Sequence, residues 1–221
     1  MKYIDFFRRR TNTFQQAFLL IQKQMTISQN NNIVYNIVEL GTSRSFVDGN
    51  VNGCCSPDSS FWQPENPCSW DWGAGVFTKV FSDNLKGEQF KLYTIDPNDT
   101  AISIVTTMCK DNKEVQIIKD YSTTFLSSID FKIDFLYMDH MESGEEACIK
   151  HLEDSKLIVE RNLINENGII LIDDVGVNIT ETKGKYSIPF LLENGFEKVL
   201  HEYQVLLTKT KTKTKTKKHI L

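Results

Sequence analysis

The hydrophobic and polar positions of the chain follow two alternating periods after Asn32. Short apolar runs rich in β-branched and aromatic residues lie at 33–40, 90–95, 115–118, 133–138 and 168–172. Between them, apolar residues recur with helical spacing at roughly 75–86, 99–111, 122–129 and 143–165. Nearly continuous apolar strands that alternate with helices predict a parallel sheet covered by helices on both faces.

The last apolar runs of the chain break this alternation. "FEKVLHEY" (196–203) and "QVLLTK" (204–209) follow each other directly, with no helical segment between them. Two adjacent strand-like runs favour an antiparallel hairpin at the edge of a sheet. For residues 33–208 we therefore predict an α/β fold with a Rossmann-like, doubly wound, mostly parallel seven-stranded sheet and a C-terminal antiparallel hairpin.

Residues 1–32 form a separate segment with the pattern of an amphipathic helix. Phe14, Phe18 and Ile21 share one face of that helix. This face either docks on the domain or meets a partner or a membrane surface. No apolar stretch of the chain is long enough to predict a membrane span.

Two further segments lie outside the alternation of strands and helices. Residues 44–72 are rich in Gly, Pro, Ser, Asn and tryptophan, and loops of this length are usually functional or disordered. Their three tryptophans favour a packed, lid-like insertion. The lysine–threonine repeat at 209–221 cannot bury a core and is predicted to be a disordered tail.

The charge of the chain is unevenly distributed. The net charge is −4, but residues 1–208 hold 19 basic and 29 acidic groups, or −10. Such an acidic body is poorly suited to a phosphate backbone, which argues against duplex nucleic acid as a partner. The five cysteines (Cys54, Cys55, Cys68, Cys109 and Cys148) are odd in number and lack paired CxxC spacing. Reduced thiols and a cytoplasmic location fit them better than disulfides or a zinc site.

Acidic residues end most of the predicted strands, where ligands bind in open α/β sheets. These residues are Glu39, Asp96, Asp120, Asp139, Asp173 and Asp174. At the end of strand two, Asp96 offers the two acceptors that ribose hydroxyls need, although an Asp followed by Pro also serves as a turn. Asp120 would lie near a nucleobase edge, or has a structural role only.

A glycine pair lies just before the first predicted helix of the domain. Gly73 and Gly75 precede an apolar-periodic segment, and the free N–H groups of that helix start would face an anionic group such as a carboxylate. On this interpretation, a loop that opens at Gly41 passes through the insertion and closes at Gly75. The alternative is that Gly73 and Gly75 make a tight turn.

These motifs, in their order and spacing, resemble those of class I S-adenosylmethionine-dependent methyltransferases. The resemblance is to the small branch that includes catechol and caffeoyl-CoA O-methyltransferases. It rests on "VELGT" (38–42), "YTIDPN" (93–98), "DFLYMDH" (134–140) and "NGIILIDDV" (167–175), together with the closing hairpin. The sequence departs from that branch in the 44–72 insertion and at Phe77, where the branch often has serine.

The resemblance implies S-adenosylmethionine as cofactor and assigns residues to it. Glu39, Gly41 and Gly75 would hold its methionine portion, Asp96 its ribose, and Asp120 with Tyr121 its adenine. The remaining residues expected at the cofactor are Thr42, Ser43, Trp72, Gly73, Pro97 and Asp139. The expected reaction is O-methylation of a small-molecule or glycan hydroxyl.

The same branch often binds Mg²⁺, which implies a metal site at Asp139, Asp173 and Asp174. Neighbouring strands lie about 4.8 Å apart, so carboxylates at their ends could converge on one hard cation. Such an ion would lower the pKa of an acceptor hydroxyl. The alternative is that Asp139 caps the helix beginning near Ser143, while the other two shape a turn.

His140, beside Asp139, is the candidate general base, because a histidine titrates near neutral pH. A hydrogen-bonded structural role is the alternative for His140. Two other functions stay open. One is a nicotinamide-dependent oxidoreductase, against which the missing GxGxxG motif and the hairpin both count. The other is a non-catalytic module that keeps the fold and the cofactor.

Overall fold

The computed structural model describes residues 2–3, 11–42, 77–176 and 182–210. The predicted insertion at 44–72 lies outside the described residues, and so does the predicted tail beyond Thr210. Four of the residues expected at the cofactor also lie outside them, namely Ser43, Trp72, Gly73 and Gly75.

The described residues form one seven-stranded sheet. Its strands are β1 (Tyr35–Leu40), β2 (Phe90–Ile95), β3 (Val115–Ile118), β4 (Ile133–Met138), β5 (Ile164–Ile172), β6 (Phe196–His201) and β7 (Val205–Lys209). They are ordered β3-β2-β1-β4-β5-β7-β6, with β1 to β5 parallel and β7 antiparallel to both of its neighbours. The predicted fold class and the closing hairpin are confirmed.

Six helices of the described chain cover the two faces of the sheet. They are α1 (Asn12–Asn30), α2 (Phe77–Asn84), α3 (Asp99–Met108), α4 (Ser122–Ser128), α5 (Glu145–Glu160) and α6 (Gly184–Glu193). Helices α1 to α3 share one apolar core with one face, and α4 to α6 share a second core with the other. None of the described helices has the length and apolarity needed to span a membrane.

The amphipathic helix of the N-terminal segment is α1, and it docks on the domain. The side chain of Thr11 caps its first turn by accepting the N–H of Phe14. Phe14, Phe18 and Ile21 are all buried, and both phenylalanines meet the ring of Phe81 edge-on. The apolar face of α1 is therefore covered by the domain, as the docking alternative predicted.

Three features differ from the sequence-based expectation. Helix α6 was not predicted: Gly184 is a poor helix former at its start, and Pro189 disfavours its interior. The long helix predicted at 143–165 ends at Glu160 instead, and Asn162 takes a left-handed backbone conformation (φ 52°) before β5 begins. Strand β7 includes Lys209, one residue beyond the predicted limit of the domain.

The register of the sheet places the predicted site at one edge. Leu40 of β1 pairs with Ile95 of β2 and with Met138 of β4, and Met138 pairs with Ile172 of β5. The four residues that directly follow these strand ends therefore lie side by side at the carboxyl edge of the sheet. They are Gly41, Asp96, Asp139 and Asp173.

Candidate functional site

A cavity of about 260 Å³ opens at this edge of the sheet. The ends of β1, β2 and β4 and the starts of α4 and α5 surround it. Its walls are formed by Gly41, Ile95, Asp96, Pro97, Asn98, Tyr121, Ser122, Thr123, Asp139, His140, Met141, Glu146 and Lys150. Six of the residues predicted from sequence (Gly41, Asp96, Pro97, Tyr121, Asp139 and His140) line this one cavity.

Gly41 allows the backbone after β1 to pack closely against the backbone after β4. Its backbone has φ 87°, and its N–H donates to the carbonyl of Ile95 at 2.8 Å. A Cβ at this position would lie 2.7 Å from both Cα and N of His140 and 2.8 Å from the carbonyl oxygen of Asp139. Only glycine fits both the backbone conformation and this close approach.

Asp96 is held in place by backbone donors from two sides. Its Oδ1 accepts the N–H of Asn98 at 2.8 Å, and its Oδ2 accepts the N–H of Thr42 at 3.2 Å. The side chain is buried, so its carboxylate is fixed at the cavity wall. A carboxylate has about four lone-pair sites and can accept hydrogen bonds from several donors at once.

Tyr121 and Asp120 follow β3 but differ in their relation to the cavity. Tyr121 lines it with a side chain that is 67% exposed. The carboxylate of Asp120 instead accepts the N–H of Tyr121 at 2.8 Å and is not part of the cavity wall. Of these two residues, only Tyr121 lines the cavity.

Glu39 is fully buried on the α1–α3 face of the sheet, below the cavity edge. Its Oε2 accepts the hydroxyl of Thr78. Burial raises the pKa of Glu39 to about 8, and the nearby Asp139 adds to this rise. Among the described residues, neither Oε1 of Glu39 nor the buried Oγ1 of Thr42 has a hydrogen-bond partner.

The three carboxylates predicted to bind Mg²⁺ come together around Lys183. Its Nζ lies 3.2 Å from Oδ1 of Asp139 and 2.8 Å from Oδ2 of Asp174. The hydroxyl of Tyr137 donates to Asp173 and lies 3.3 Å from Oδ2 of Asp139. The predicted convergence is therefore present, with a lysine ammonium in the middle of it.

This donor set does not fit Mg²⁺. Among the described residues, no group of three or more His, Cys, Asp or Glu side chains has the arrangement of a metal site. Lys183 is only 2% exposed. Burial by itself would lower the pKa of Lys183, but Asp139 and Asp174 outweigh it, so the pKa is raised and the ammonium stays charged. A charged donor without lone pairs is not a metal ligand.

The alternative roles of the same aspartates are partly resolved. Helix α5 begins after Gly144, and no side chain caps it, so Asp139 is not its cap. The carboxylate of Asp173 does accept the N–H of Asp174, whose backbone has φ 52°. Both residues therefore shape the turn after β5 while also facing Tyr137 and Lys183.

His140 has a partner that the sequence did not indicate. Its Nε2 lies 2.9 Å from Oδ2 of Asp154, and its ring stacks on His151 with centroids 4.3 Å apart. Burial, followed by the nearby His140, lowers the pKa of His151 well below its usual range. His151 is therefore neutral, and Asp154 is the carboxylate that lies next to His140.

Several residues of the site were missed in the sequence. Lys183 and Asp154 belong to helical or loop segments far from the motifs, so no local pattern connects them to Asp139 or His140. Glu146 and Lys150 have the i, i+4 spacing of an ordinary surface pair, yet both line the cavity. Asn98 could have been found as the cap of α3, since it lies directly before the helical pattern.

Comparisons with known proteins agree on the fold. No protein-family model and no curated protein matches the sequence. A solved structure of a putative rRNA methylase from Clostridium thermocellum is 16% identical, with 90% of this chain and 97% of that chain covered and a TM-score of 0.51. The N-methyltransferase NodS from Bradyrhizobium japonicum WM9 is 11% identical, with the same coverage and a TM-score of 0.51. At such low identity the likeness extends to architecture alone: the chain has the Rossmann-like fold of these methyltransferases.

Proposed function

We propose that the protein is an S-adenosylmethionine-dependent methyltransferase. The observation that carries the proposal is the fixed carboxylate of Asp96 at the wall of the cavity, one residue beyond β2 and beside the tight turn at Gly41. A rigid pair of acceptors at this point suits the two hydroxyls of a ribose. The shared fold of the solved methyltransferases supports the same conclusion.

The residues present fit the other parts of the cofactor as well. Tyr121 and Pro97 offer an apolar wall for an adenine, next to Asp120. The buried Oε1 of Glu39 and Oγ1 of Thr42, which lack partners among the described residues, suit the polar methionine end. Gly41 belongs to the same end, and we also place Ser43, Trp72, Gly73 and Gly75 there, as the resemblance implies.

The bound cofactor would supply an activated methyl group on a sulfonium. The acceptor we propose is a hydroxyl of a small molecule or a glycan, in a protein of the cytoplasm. Methylation of that hydroxyl would release its proton, which a group of the chain has to accept. His140 lines the cavity beside Asp154, so it is the group we assign to accept that proton.

The topology separates this proposal from a nicotinamide-dependent oxidoreductase. A dinucleotide-binding sheet has the parallel order 3-2-1-4-5-6, whereas here antiparallel β7 lies between β5 and β6. The loop after Gly41 also lacks a GxGxxG motif. Both observations favour the methyltransferase over the oxidoreductase.

Calorimetry with S-adenosylhomocysteine and NAD⁺ tests the proposal. We expect saturable binding of S-adenosylhomocysteine, and no binding of NAD⁺ at the same concentrations. Transfer of labelled methyl groups to panels of small-molecule and glycan hydroxyls then tests catalysis. Preference for NAD⁺ would overturn the proposal, and tight cofactor binding without transfer to either panel would favour a non-catalytic module.

A further inference from the structure

Lys183 carries a buried ammonium among the strand-end carboxylates. We propose that Lys183 is the resident cation of the cluster formed by Asp139, Asp173 and Asp174, and that it stands where a divalent ion would otherwise bind. The proposal concerns metal binding and stability, so it goes beyond the proposed methyl transfer.

The cluster needs a cation because of its geometry. Three carboxylates at the ends of the adjacent strands β4 and β5 repel one another, and the repulsion is strongest where they are buried, as Asp173 is. Lys183 offsets this with two ion pairs, at 3.2 Å to Asp139 and 2.8 Å to Asp174. The hydroxyl of Tyr137 links Asp139 with Asp173, so all three carboxylates belong to one connected set.

A divalent ion and this ammonium compete for the same oxygen atoms. Mg²⁺ would hold carboxylate oxygens at about 2.1 Å in an octahedron of oxygens. Those oxygens already face the Lys183 ammonium, and a divalent ion bound to them would lie within a few ångströms of a positive charge that is almost fully buried. Repulsion at such a distance is strong away from water.

The position of the cluster ties it to the cavity. Asp139 is both a wall of the cavity and a partner of Lys183. The lysine therefore fixes the orientation of the carboxylate that faces a ligand. Under the proposed function, on which this step rests, an acceptor hydroxyl would be activated by groups of the chain without a metal.

Titration with Mn²⁺ tests the proposal by calorimetry and thermal unfolding. The unaltered protein should show no saturable Mn²⁺ binding below millimolar concentration and the same melting temperature in Mn²⁺ and in EDTA. Lys183→Met removes the charge at similar volume, so it should melt lower in EDTA, bind Mn²⁺ at least tenfold more tightly and regain stability with it. Lys185→Ala is the matched control, since Lys185 lies two residues after Lys183 and pairs with the exposed Glu145.

A second variant keeps the test decisive if Lys183→Met does not fold. Adding Asp174→Asn removes one of the unbalanced carboxylates, so the double variant should regain stability without metal. Saturable micromolar Mn²⁺ binding by the unaltered protein would overturn the proposal. So would a Lys183→Met protein that gains nothing from Mn²⁺, or a double variant no more stable than Lys183→Met. None of these outcomes depends on methyl transfer, so they stay distinct from a failure of the proposed function.

Discussion

Nε2 of His140 lies 2.9 Å from Oδ2 of Asp154, an aspartate with no exposed surface in helix α5. Among the described residues, neither ring nitrogen of His140 and neither carboxylate oxygen of Asp154 makes a hydrogen bond. The close contact still places the carboxylate beside the ring that lines the cavity, and under the proposed function Asp154 positions His140 there.

Asp154→Asn should impair methyl transfer while leaving cofactor binding intact. The asparagine keeps the size of the side chain but loses its charge, so we expect kcat to fall about ten- to a hundredfold. Because Asp154 acts through His140, the effects of Asp154→Asn and His140→Asn should not add in the double variant. Glu160→Gln, at an exposed position of the same helix, serves as the control. Additive effects, or an unchanged kcat, would leave Asp154 with a structural role.

Asp96→Ala should weaken the binding of S-adenosylhomocysteine. Loss of a charged hydrogen-bonding group costs roughly 1.5–3 kcal/mol, or about ten- to a hundredfold in affinity. Asp99→Ala is the control, because Asp99 is an exposed aspartate that pairs with Lys119 away from the cavity. Calorimetry measures both variants. Equal affinities for the two would remove Asp96 from the ribose site.

Gly41→Ala should destabilise the fold more than Gly195→Ala does. The two glycines have nearly the same backbone angle, φ 87° and 88°, so their strain is matched at about 1–2 kcal/mol. Only at Gly41 does the new Cβ meet backbone, 2.7 Å from His140, whereas it meets nothing within 4 Å at Gly195. Chemical denaturation gives both free energies of unfolding. Equal losses would show that the end of β4 moves aside easily.

Glu39→Gln should make stability less dependent on pH. The pKa of Glu39 is raised from 4.5 to about 8 by burial, so the native state holds a proton that the unfolded chain has released over this range. Stability is therefore full below about pH 4.5 and falls as pH rises toward 8. A shift of this size corresponds to at most about 5 kcal/mol.

Melting curves of Glu39→Gln between pH 5 and about pH 9 check this expectation. The variant should match the unaltered protein at the acidic end and exceed it at the alkaline end. The control is Glu197→Gln, at an exposed position of β6. Parallel curves for Glu39→Gln and the unaltered protein would mean that Glu39 is charged in the native state.

Periodicity was enough to predict the sheet, and it failed where local propensity and tertiary packing disagree. The buried strands are continuous apolar runs that are too short for helices, so all five parallel strands and the hairpin were predicted. Helix α6 contains Gly184 and Pro189, and its stability comes from burying Ile188 and Leu191 against the sheet. That packing has no signature in a local window of sequence.

The site was predictable only where it follows directly from a strand. Gly41, Asp96 and Asp139 each come one residue after a strand end, and the sheet register aligns them. Lys183 is 44 positions from Asp139 in sequence, and its neighbours in the chain contain nothing that marks a buried ammonium. The metal site was predicted from the three aspartates alone. They are visible beside the strand motifs in the sequence, whereas the lysine that pairs with them is not.

The contacts of helix α1 have a consequence for synthesis of the protein. Its first turn is bound to the β6–β7 turn, where Thr13 N–H donates to Glu202 at 3.1 Å and the Thr11 hydroxyl donates to Gln204 at 2.8 Å. The ribosome makes this helix before those partners, which follow about 190 residues later. Until they are made, the phenylalanine face of α1 lacks part of its binding surface, and apolar area stays exposed on the nascent chain.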